Sequence, residues 1–184
     1  MALREIRVEG DPVLTKVCKE VKEVTSRVQD LIDDMIETMY EANGVGLAGP
    51  QAGISKRIFV VIADDDVRRV FINPQIISTS AELSDYEEGC LSVPGVYETI
   101  QRPAKVSVQA YNENGKMFTL DAEGLLARII QHEYDHLEGM LFIDRGDPDV
   151  AQKTVEQFKK RAEKAEKRAA EKEAKARKIA AKKA

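Results

Sequence analysis

The sequence has no tryptophan and only two histidines and two cysteines among its 184 residues. Two cysteines are too few for the disulfide framework of a small secreted domain, so we expect reduced thiols at Cys18 and Cys90. The first residues are charged and lack the apolar run of a secretion signal. No apolar run approaches the roughly 20 residues of a membrane-spanning helix. These absences predict a soluble, cytoplasmic protein with one core-forming domain and no membrane partner.

The net charge of -4 combines two regions of opposite sign. From residue 152 onward, 13 Lys or Arg stand against 5 Asp or Glu, a balance of +8 that leaves -12 for the remainder. This segment is rich in Ala, Lys and Glu, which favours helix, but it has no broad apolar face after Phe158. We therefore predict a folded body over residues 1–149 and a basic C-terminal helical extension over residues 150–184.

The two histidines, His132 and His136, lie four residues apart, and Glu133 is next to the first. On a helix, residues four apart share one face, so both imidazoles can bind one metal ion with the glutamate beside them as a base. Apolar residues recur at helical spacing over 125–137, and Gly139 follows where a helix would end. The segment predicts a partly buried helix that carries a metal site.

A catalytic metal needs a third protein ligand, which two histidines alone do not supply. Cys90 is the best candidate, although a cysteine between Gly and Leu is usually a small buried hydrophobe. Cys18 lies in a stretch rich in Lys and Glu with no motif around it, so we expect a structural role there. A Cys/His/His set leaves the fourth position open for water, as catalytic sites do, and its thiolate suits Fe(II) or Zn(II).

Hydrophobic patterns predict the remaining elements. They are an extended segment over 1–24, an amphipathic helix over 25–42, strands over 57–63 and 70–77, and a hairpin of 105–111 with 116–120. Asn73-Pro74 inside the second strand indicates an edge or a bulge. The Gly-rich segment 43–53 is a plain connecting loop or, alternatively, backbone that approaches a ligand. Its Gln51 can both donate and accept hydrogen bonds.

Three segments, GVGLAGPQ at 44–51, EGCLS at 88–92 and QHEYDHLEG at 131–139, together resemble the three ordered motifs of the peptide deformylases. They are spaced through most of residues 1–145, so the resemblance covers the whole body. One departure is Gly49, where the family more usually has Ala. The extension beyond about residue 150 takes no part in the resemblance.

The resemblance implies an α+β fold with antiparallel β-sheets wrapped around a central metal-binding helix, an N-terminal helix and the basic C-terminal helix. It implies hydrolytic removal of the formyl group from the N-terminal methionine of newly synthesised polypeptides, with release of formate. Fe(2+) is then the expected metal, with Zn(2+), Ni(2+) or Co(2+) as substitutes. Formylated nascent peptides are the expected partners, and the basic tail either docks on ribosomal RNA or remains a solvated helix.

The resemblance also assigns catalytic roles. Glu133 takes the proton of the attacking water, and the Gln51 side-chain amide and the backbone N–H of Leu91 stabilise the oxyanion. The expected metal ligands are Cys90, His132 and His136.

The substrate-binding residues follow from the same resemblance. They are expected to be Val45, Gly46, Leu125 and Ile129. The backbone of Gly46 would hold the formamide, and Leu125 and Ile129 would form the methionine slot with Tyr86 and Tyr97 as further walls. Plain core packing is the alternative for each slot residue. Behind the site, Glu88 and Arg102 are expected to form an ion pair.

Two other classes of protein compete with this interpretation. A zinc endopeptidase of the metzincin type needs a third histidine, which would fall at Phe142, and a thermolysin-like site would need Glu156, which has no motif around it. A non-enzymatic metal-binding module is the second alternative. Glu133 argues against it, because a glutamate that is not a ligand is needed only for catalysis.

Overall fold

The computed structural model describes residues 2–181, and side chains through residue 178. Its helices and strands are α1 (Ser26–Glu41), β1 (Gly46–Ala48), β2 (Ile58–Ile62), β3 (Arg68–Thr79), β4 (Leu83–Gly89), β5 (Tyr97–Pro103), β6 (Lys105–Tyr111), β7 (Met117–Glu123), α2 (Gly124–Leu137) and α3 (Pro148–Ala181). Short 3-10 helices cover Pro12–Thr15, Gly49–Ala52 and Phe142–Arg145. Residues 182–184 of the predicted extension lie outside the described residues.

Two antiparallel sheets make up the β structure. One has five strands in the order β1-β2-β3-β6-β7, and the other is the hairpin of β4 with β5. The predicted helix over 25–42, the strand over 57–63 and the hairpin of β6 with β7 are confirmed within a few residues. This is the α+β architecture that the sequence predicts, with a helix near the N-terminus and another at the C-terminal end.

Strand β2 is the centre of the core because both of its faces are buried. Phe59 and Val61 pack toward Ile129 and Ile130 of α2, whereas the alternate residues of β2 pack toward α1. Successive side chains of a strand point to opposite faces, so one apolar run serves both helices. The five-stranded sheet therefore lies between α1 and α2, and α2 is held as a rigid, half-buried support.

Strand β3 contains the bulge that Asn73-Pro74 indicated, but β3 is not an edge strand. It lies between β2 and β6, and its register shifts between Ile72 and Gln75. Asn73 has a φ of 49°, and its side chain bonds both the N–H and the C=O of Val21 at 2.8 Å. Since Pro74 has no N–H to donate, the break in the ladder falls where a bond is missing anyway.

Helix α3 leaves the body after its first turns. Thr154 and Phe158 are buried, Phe158 against Ile100 and Phe142. Every residue from 159 to 178 is exposed. The expected helical extension is therefore present, while the division of the chain at residue 150 stays a prediction. Within residues 2–181, none of the helices combines the length and the apolar character that a bilayer crossing requires.

Candidate metal centre

Helix α2 carries both histidines, as the spacing predicted. It spans Gly124–Leu137, and the chain turns away at Gly139, where φ is 73°. A Cβ at Gly139 would lie 2.7 Å from the carbonyl group of Thr15, so only glycine permits this close approach to the N-terminal segment. The apolar face of α2 packs on the sheet, which holds His132 and His136 in place at the opposite face.

Cys90 follows β4 directly and reaches the two histidines. One ligand atom each from Cys90, His132 and His136 lie within 4.8 Å of one another, and Sγ of Cys90 is 3.3 Å from Nε2 of His136. A metal bound at about 2.0 to 2.3 Å from each ligand atom needs such a spacing. One thiolate and two imidazoles suit a divalent transition metal and disfavour Mg(II) or Ca(II). The three residues fit a metal ion and form the metal-binding site of the protein.

Glu88 accepts hydrogen bonds from three side chains behind this site. Arg102 donates from Nε at 2.7 Å and from Nη2 at 2.9 Å, Arg128 donates from Nη1 at 2.8 Å, and Nδ1 of His132 lies 2.8 Å away. Burial raises the pKa of Glu88, but the bonds from Arg102 and His132 outweigh it and hold that pKa well below its usual range. The expected ion pair of Glu88 with Arg102 is confirmed.

The ion-pair network extends further than the sequence suggested. Nη1 of Arg102 donates to Oδ2 of Asp135 at 2.7 Å, and Arg145 donates twice to the same carboxylate at 2.5 Å. We did not predict Arg128, Asp135 or Arg145. For Arg128 and Asp135 the available signal was a charged residue between apolar positions of a helix that had to be half buried. Arg145 lies in the short 3-10 helix Phe142–Arg145, where no such pattern pointed to it.

The two histidines have opposite pKa shifts. Burial lowers the pKa of both, but in His132 the hydrogen bonds to Cys90 and Glu88 outweigh burial and raise its pKa well above the ordinary value. Burial and the charge of His132 lower the pKa of His136. Because a metal binds the neutral imidazole, protons and metal ions compete for His132.

Glu133 is buried and faces the cleft beside the three ligands. Its Oε2 is buried without a hydrogen-bond partner among the described residues. Burial raises the pKa of Glu133 to about 7, against the opposing charge of His132. A divalent cation at the neighbouring ligands would lower it again. Burial and a bound cation thus shift this pKa in opposite directions, and the carboxylate lies in the cleft where it can exchange a proton with a water or a substrate.

Gln51 lies at the other side of the cysteine. Its Oε1 accepts a bond of 2.8 Å from the N–H of Ala48, so the amide is oriented with Nε2 toward the site. Nε2 lies 3.5 Å from Sγ of Cys90 and 3.2 Å from Oγ of Ser92. Within residues 2–181, the backbone N–H of Leu91 has no acceptor. Ser92, which was not predicted from the sequence, therefore helps to orient the side-chain amide of Gln51.

A cleft of about 500 Å³ opens onto these groups. Its walls include every residue expected to bind substrate, namely Val45, Gly46, Leu125 and Ile129, and also Tyr86 and Tyr97. Leu125 and Ile129 pack in the core as well, so lining the cleft and core packing are not exclusive for them. A Cβ at Gly46 would lie 2.8 Å from Cγ2 of Ile129 and would also collide with Glu133. The Gly-rich segment 43–53 is therefore not a plain connecting loop: it contains the edge strand β1 against the site and the 3-10 helix Gly49–Ala52.

Comparison with known proteins agrees with this geometry. The family model described as polypeptide deformylase matches residues 3–152. A peptide deformylase of Clostridium perfringens is 57% identical over 145 residues, which cover 78% of this chain and 98% of the relative. One of Bradyrhizobium diazoefficiens is 46% identical over 174 residues, 90% of this chain and 100% of the relative.

Solved structures show the same relationship. The crystal structure of a peptide deformylase from Legionella pneumophila matches with a TM-score of 0.80 at 43% identity, over 86% of this chain and 96% of that chain. That of Synechococcus elongatus in complex with actinonin gives 0.79 at 41% identity, over 84% and 85%. The chain belongs to the peptide deformylase family, and it is a metal-dependent hydrolase that removes the N-terminal formyl group from nascent polypeptides.

Proposed function

We propose that this chain removes the formyl group by general acid–base catalysis at Glu133 beside a metal held by Cys90, His132 and His136. The observation that supports this proposal is the position of Glu133. Its carboxylate is buried, has one oxygen without a hydrogen-bond partner among the described residues, and lines the cleft next to the ligand cluster without belonging to it. A buried carboxylate that is neither paired nor a ligand costs stability, so a role in proton transfer accounts for its retention.

The reaction divides between the metal and the side chains around it. A divalent metal ion supplies Lewis-acid activation of water and polarisation of the formyl carbonyl. Glu133 accepts a proton from the water as the water oxygen adds to the formyl carbon. It then donates that proton to the amide nitrogen as the C–N bond breaks. Formate and the free amine of the peptide are the products.

Two donors of this chain would stabilise the charge that develops on the formyl oxygen. Nε2 of Gln51 is directed toward Cys90 because Ala48 holds the other end of the amide, and the N–H of Leu91 has no acceptor in the part of the chain that the structure describes. Preorganised donors of this kind act in a site from which water is largely excluded. Loss of one such donor raises the barrier by roughly 3 to 4 kcal/mol in other enzymes.

The methionine side chain would lie against Leu125 and Ile129 of α2. These side chains are apolar, line the cleft and follow one another on the face of α2 that leads to His132. The backbone of Gly46 would hold the formamide, because within the described residues β1 is an edge strand that pairs only with β2. Val45 precedes β1 and lines the same cleft. Tyr97 is 68% exposed and Tyr86 is 50% exposed, so they would contact residues that follow the methionine.

Iron is the metal that we propose for the native enzyme. One thiolate and two imidazoles suit Fe(II) and also Zn(II), Ni(II) or Co(II), so the ligands restrict the choice without settling it. The family resemblance makes Fe(II) the first candidate. Metal analysis of protein purified without oxygen should show iron in equimolar amount, and zinc alone in protein prepared this way would contradict the proposal.

The activity itself is tested with three peptides. Anaerobically prepared Fe(II) protein should release formate from formyl-Met-Ala-Ser and should leave unformylated Met-Ala-Ser and an internal-bond peptide substrate intact. Cleavage of the internal bond would instead indicate an endopeptidase with the same metal helix. Absence of reaction with all three peptides, in protein that contains one metal ion, would contradict the enzymatic assignment.

We further propose that α3 docks on ribosomal RNA in the cytoplasm, where formylated chains emerge. The basic residues of α3 project from the body on an exposed helix, and such side chains can neutralise phosphates. Truncation after Lys160 leaves the buried Phe158 in place and should weaken salt-sensitive ribosome binding without slowing hydrolysis of a short peptide. Unchanged ribosome affinity would mean that α3 is only a solvated helix.

A further inference from the structure

The metal ligands come from two parts of the fold that no sheet joins. His132 and His136 belong to α2, which packs on the five-stranded sheet. Cys90 comes directly after β4, and within the described residues β4 and β5 pair as strands only with each other. The position of Cys90 relative to the histidines therefore depends on contacts between side chains. These include apolar packing of the hairpin against Phe142 and polar bonds between the hairpin and α2.

Two arginines make polar connections between the hairpin and α2, one from the hairpin and one from the helix. Arg102, on β5 of the hairpin, donates to Asp135 on α2 at 2.7 Å. Arg128, on α2, donates to Glu88 at 2.8 Å, to the backbone oxygen of Ile100 at 3.0 Å and to Ser84 at 2.7 and 3.0 Å. Arg128 thus contacts both strands of the hairpin from a single side chain that is only 5% exposed.

We propose that Arg128 is a positioning residue that holds the β4–β5 hairpin, and with it Cys90 and Glu88, in place against the histidines of α2. The inference rests on the proposed metal ligands and goes beyond them, because Arg128 is neither a ligand nor a group that transfers protons. Its two terminal nitrogens bond four acceptors on three residues of the hairpin. A planar guanidinium can bond all four acceptors at once, whereas the single ammonium nitrogen of a lysine cannot reach both pairs of acceptors.

The position of Glu88 makes this role specific to the metal site. Arg128 bonds Oε1 of Glu88, and Oε2 of the same carboxylate lies 2.8 Å from Nδ1 of His132. A carboxylate that is held on one side orients the histidine on the other, and such partners of a ligand commonly change metal affinity by about 10- to 100-fold when they are lost. Removal of Arg128 should therefore change the affinity for the metal and not only the stability of the fold.

The test measures zinc affinity by competition with a chromophoric chelator, on full-length protein loaded with one zinc ion. Arg128→Met keeps an unbranched side chain of similar length and removes all five donors. We expect about 10- to 100-fold weaker zinc binding. Arg128→Lys should recover part of the loss, because a lysine can still donate to Glu88 but not also to Ser84. The Co(II) absorption bands of Arg128→Met should shift, since the geometry of the ligands changes.

Two control variants separate positioning from general effects. Arg27→Met removes an exposed cation from α1 and should bind zinc as the unmodified protein does. Val28→Ala removes methyl groups from a residue that is 4% exposed in the core between α1 and the sheet, and should lower stability without altering zinc affinity. Weaker zinc binding in Val28→Ala equal to that of Arg128→Met would overturn the proposal, because stability alone would then explain the loss.

A zinc affinity of Arg128→Met within twofold of the unmodified protein would also overturn it. If Arg128→Met does not fold, Arg128→Lys decides: weaker zinc binding supports the proposal, and unchanged binding together with unchanged Co(II) bands contradicts it. Zinc binding by the unmodified protein that is lost in Cys90→Ala would uphold the proposed metal site in either case. The proposal for Arg128 can therefore fail without the proposed function failing.

Discussion

The carboxylate of Glu88 accepts a hydrogen bond from Nδ1 of His132 at 2.8 Å. Because the pKa of Glu88 lies well below its usual range, the carboxylate is ionised and can only accept, so Nδ1 carries the proton. Nε2 of His132 is then the nitrogen available to a metal. Glu88 therefore orients the metal ligand His132, in addition to forming the ion pair with Arg102 that was predicted from the sequence.

Replacement of Glu88 by Gln should weaken metal binding. The glutamine keeps the shape of the side chain but loses the charge that attracts Nδ1–H and that pairs with two arginines. We expect zinc affinity to fall about 10- to 100-fold. Chelator competition measures the change. Glu23→Gln, an exposed position, is the matched control, and equal affinities in the two variants would contradict the role of Glu88.

Replacement of Glu133 by Ala should leave the metal bound and slow turnover by about 10²- to 10⁴-fold, because proton transfer is lost while the ligands stay. Metal content by mass spectrometry and formate release from formyl-Met-Ala-Ser give the two readings. Turnover equal to that of the unmodified enzyme would exclude Glu133 as the acid–base group. Loss of the metal instead would mean that Glu133 is itself a ligand.

The two cysteines should differ in their effect on the metal. Cys90→Ala removes the sulfur that lies 3.3 Å from His136, and should abolish binding of one equivalent of zinc. Cys18→Ala changes a buried thiol of the core and should retain the metal with some loss of stability. If Cys90→Ala retained the metal, the third ligand would have to be a residue other than Cys90.

Gly49 is the departure from the usual family motif, and in this structure an alanine there would require the neighbouring backbone to shift. A Cβ at Gly49 would lie 2.7 Å from the carbonyl oxygen of Lys56 and 2.8 Å from that of Ile54. Backbone atoms cannot move aside as side chains do, so Gly49→Ala should lower the free energy of unfolding by about 1 to 3 kcal/mol. Urea denaturation measures this, and an unchanged midpoint would show that residues 54–56 shift without cost.

Asp34 should make stability depend on pH in the acidic range. The N–H of Ala2 at 2.7 Å, and then Arg4 at 2.9 Å, lower the pKa of Asp34 against the effect of burial. A lowered pKa stabilises the fold fully above the ordinary aspartate pKa of about 4, and this stabilisation is lost as the pH falls through the folded-state value. The unfolding free energies of Asp34→Asn and the unmodified protein should therefore differ at pH 7 and converge as the pH falls below the ordinary aspartate pKa of about 4. Asp30→Asn, exposed on the same helix, should show no such convergence.

The metal helix could be predicted from the sequence because its evidence is local. His132 and His136 share a face through helical spacing, and the apolar residues of α2 repeat with the same period. The burial of β2 was equally clear from the uninterrupted apolar run IFVVIA that follows Arg57. Cys90 required a chemical argument, namely the need for a third ligand, and the motif around it supported the choice.

The β4–β5 hairpin was not predicted because apolar and polar residues alternate only weakly along its two strands. In β4 only Glu88 is buried, and in β5 only Ile100 and Arg102 are, so charged residues occupy the inner positions where a strand pattern needs apolar ones. The bonds of Arg128 and Asp135 to this hairpin join residues that are 28 to 44 positions apart in the sequence. Such pairings leave no periodic signal, and only the fold brings them together.

Because the ligands are far apart along the chain, a bound metal ion also affects the stability of the fold. Cys90 lies 46 residues before His136 and sits on a hairpin that is not part of the large sheet, so a bound ion cross-links two parts of the fold. At a free metal concentration 100 times the dissociation constant, this linkage adds about 2.7 kcal/mol to the stability of the folded chain. A cell that runs short of the metal would lose folded enzyme to proteolysis as well as activity, so metal supply would set the lifetime of the protein.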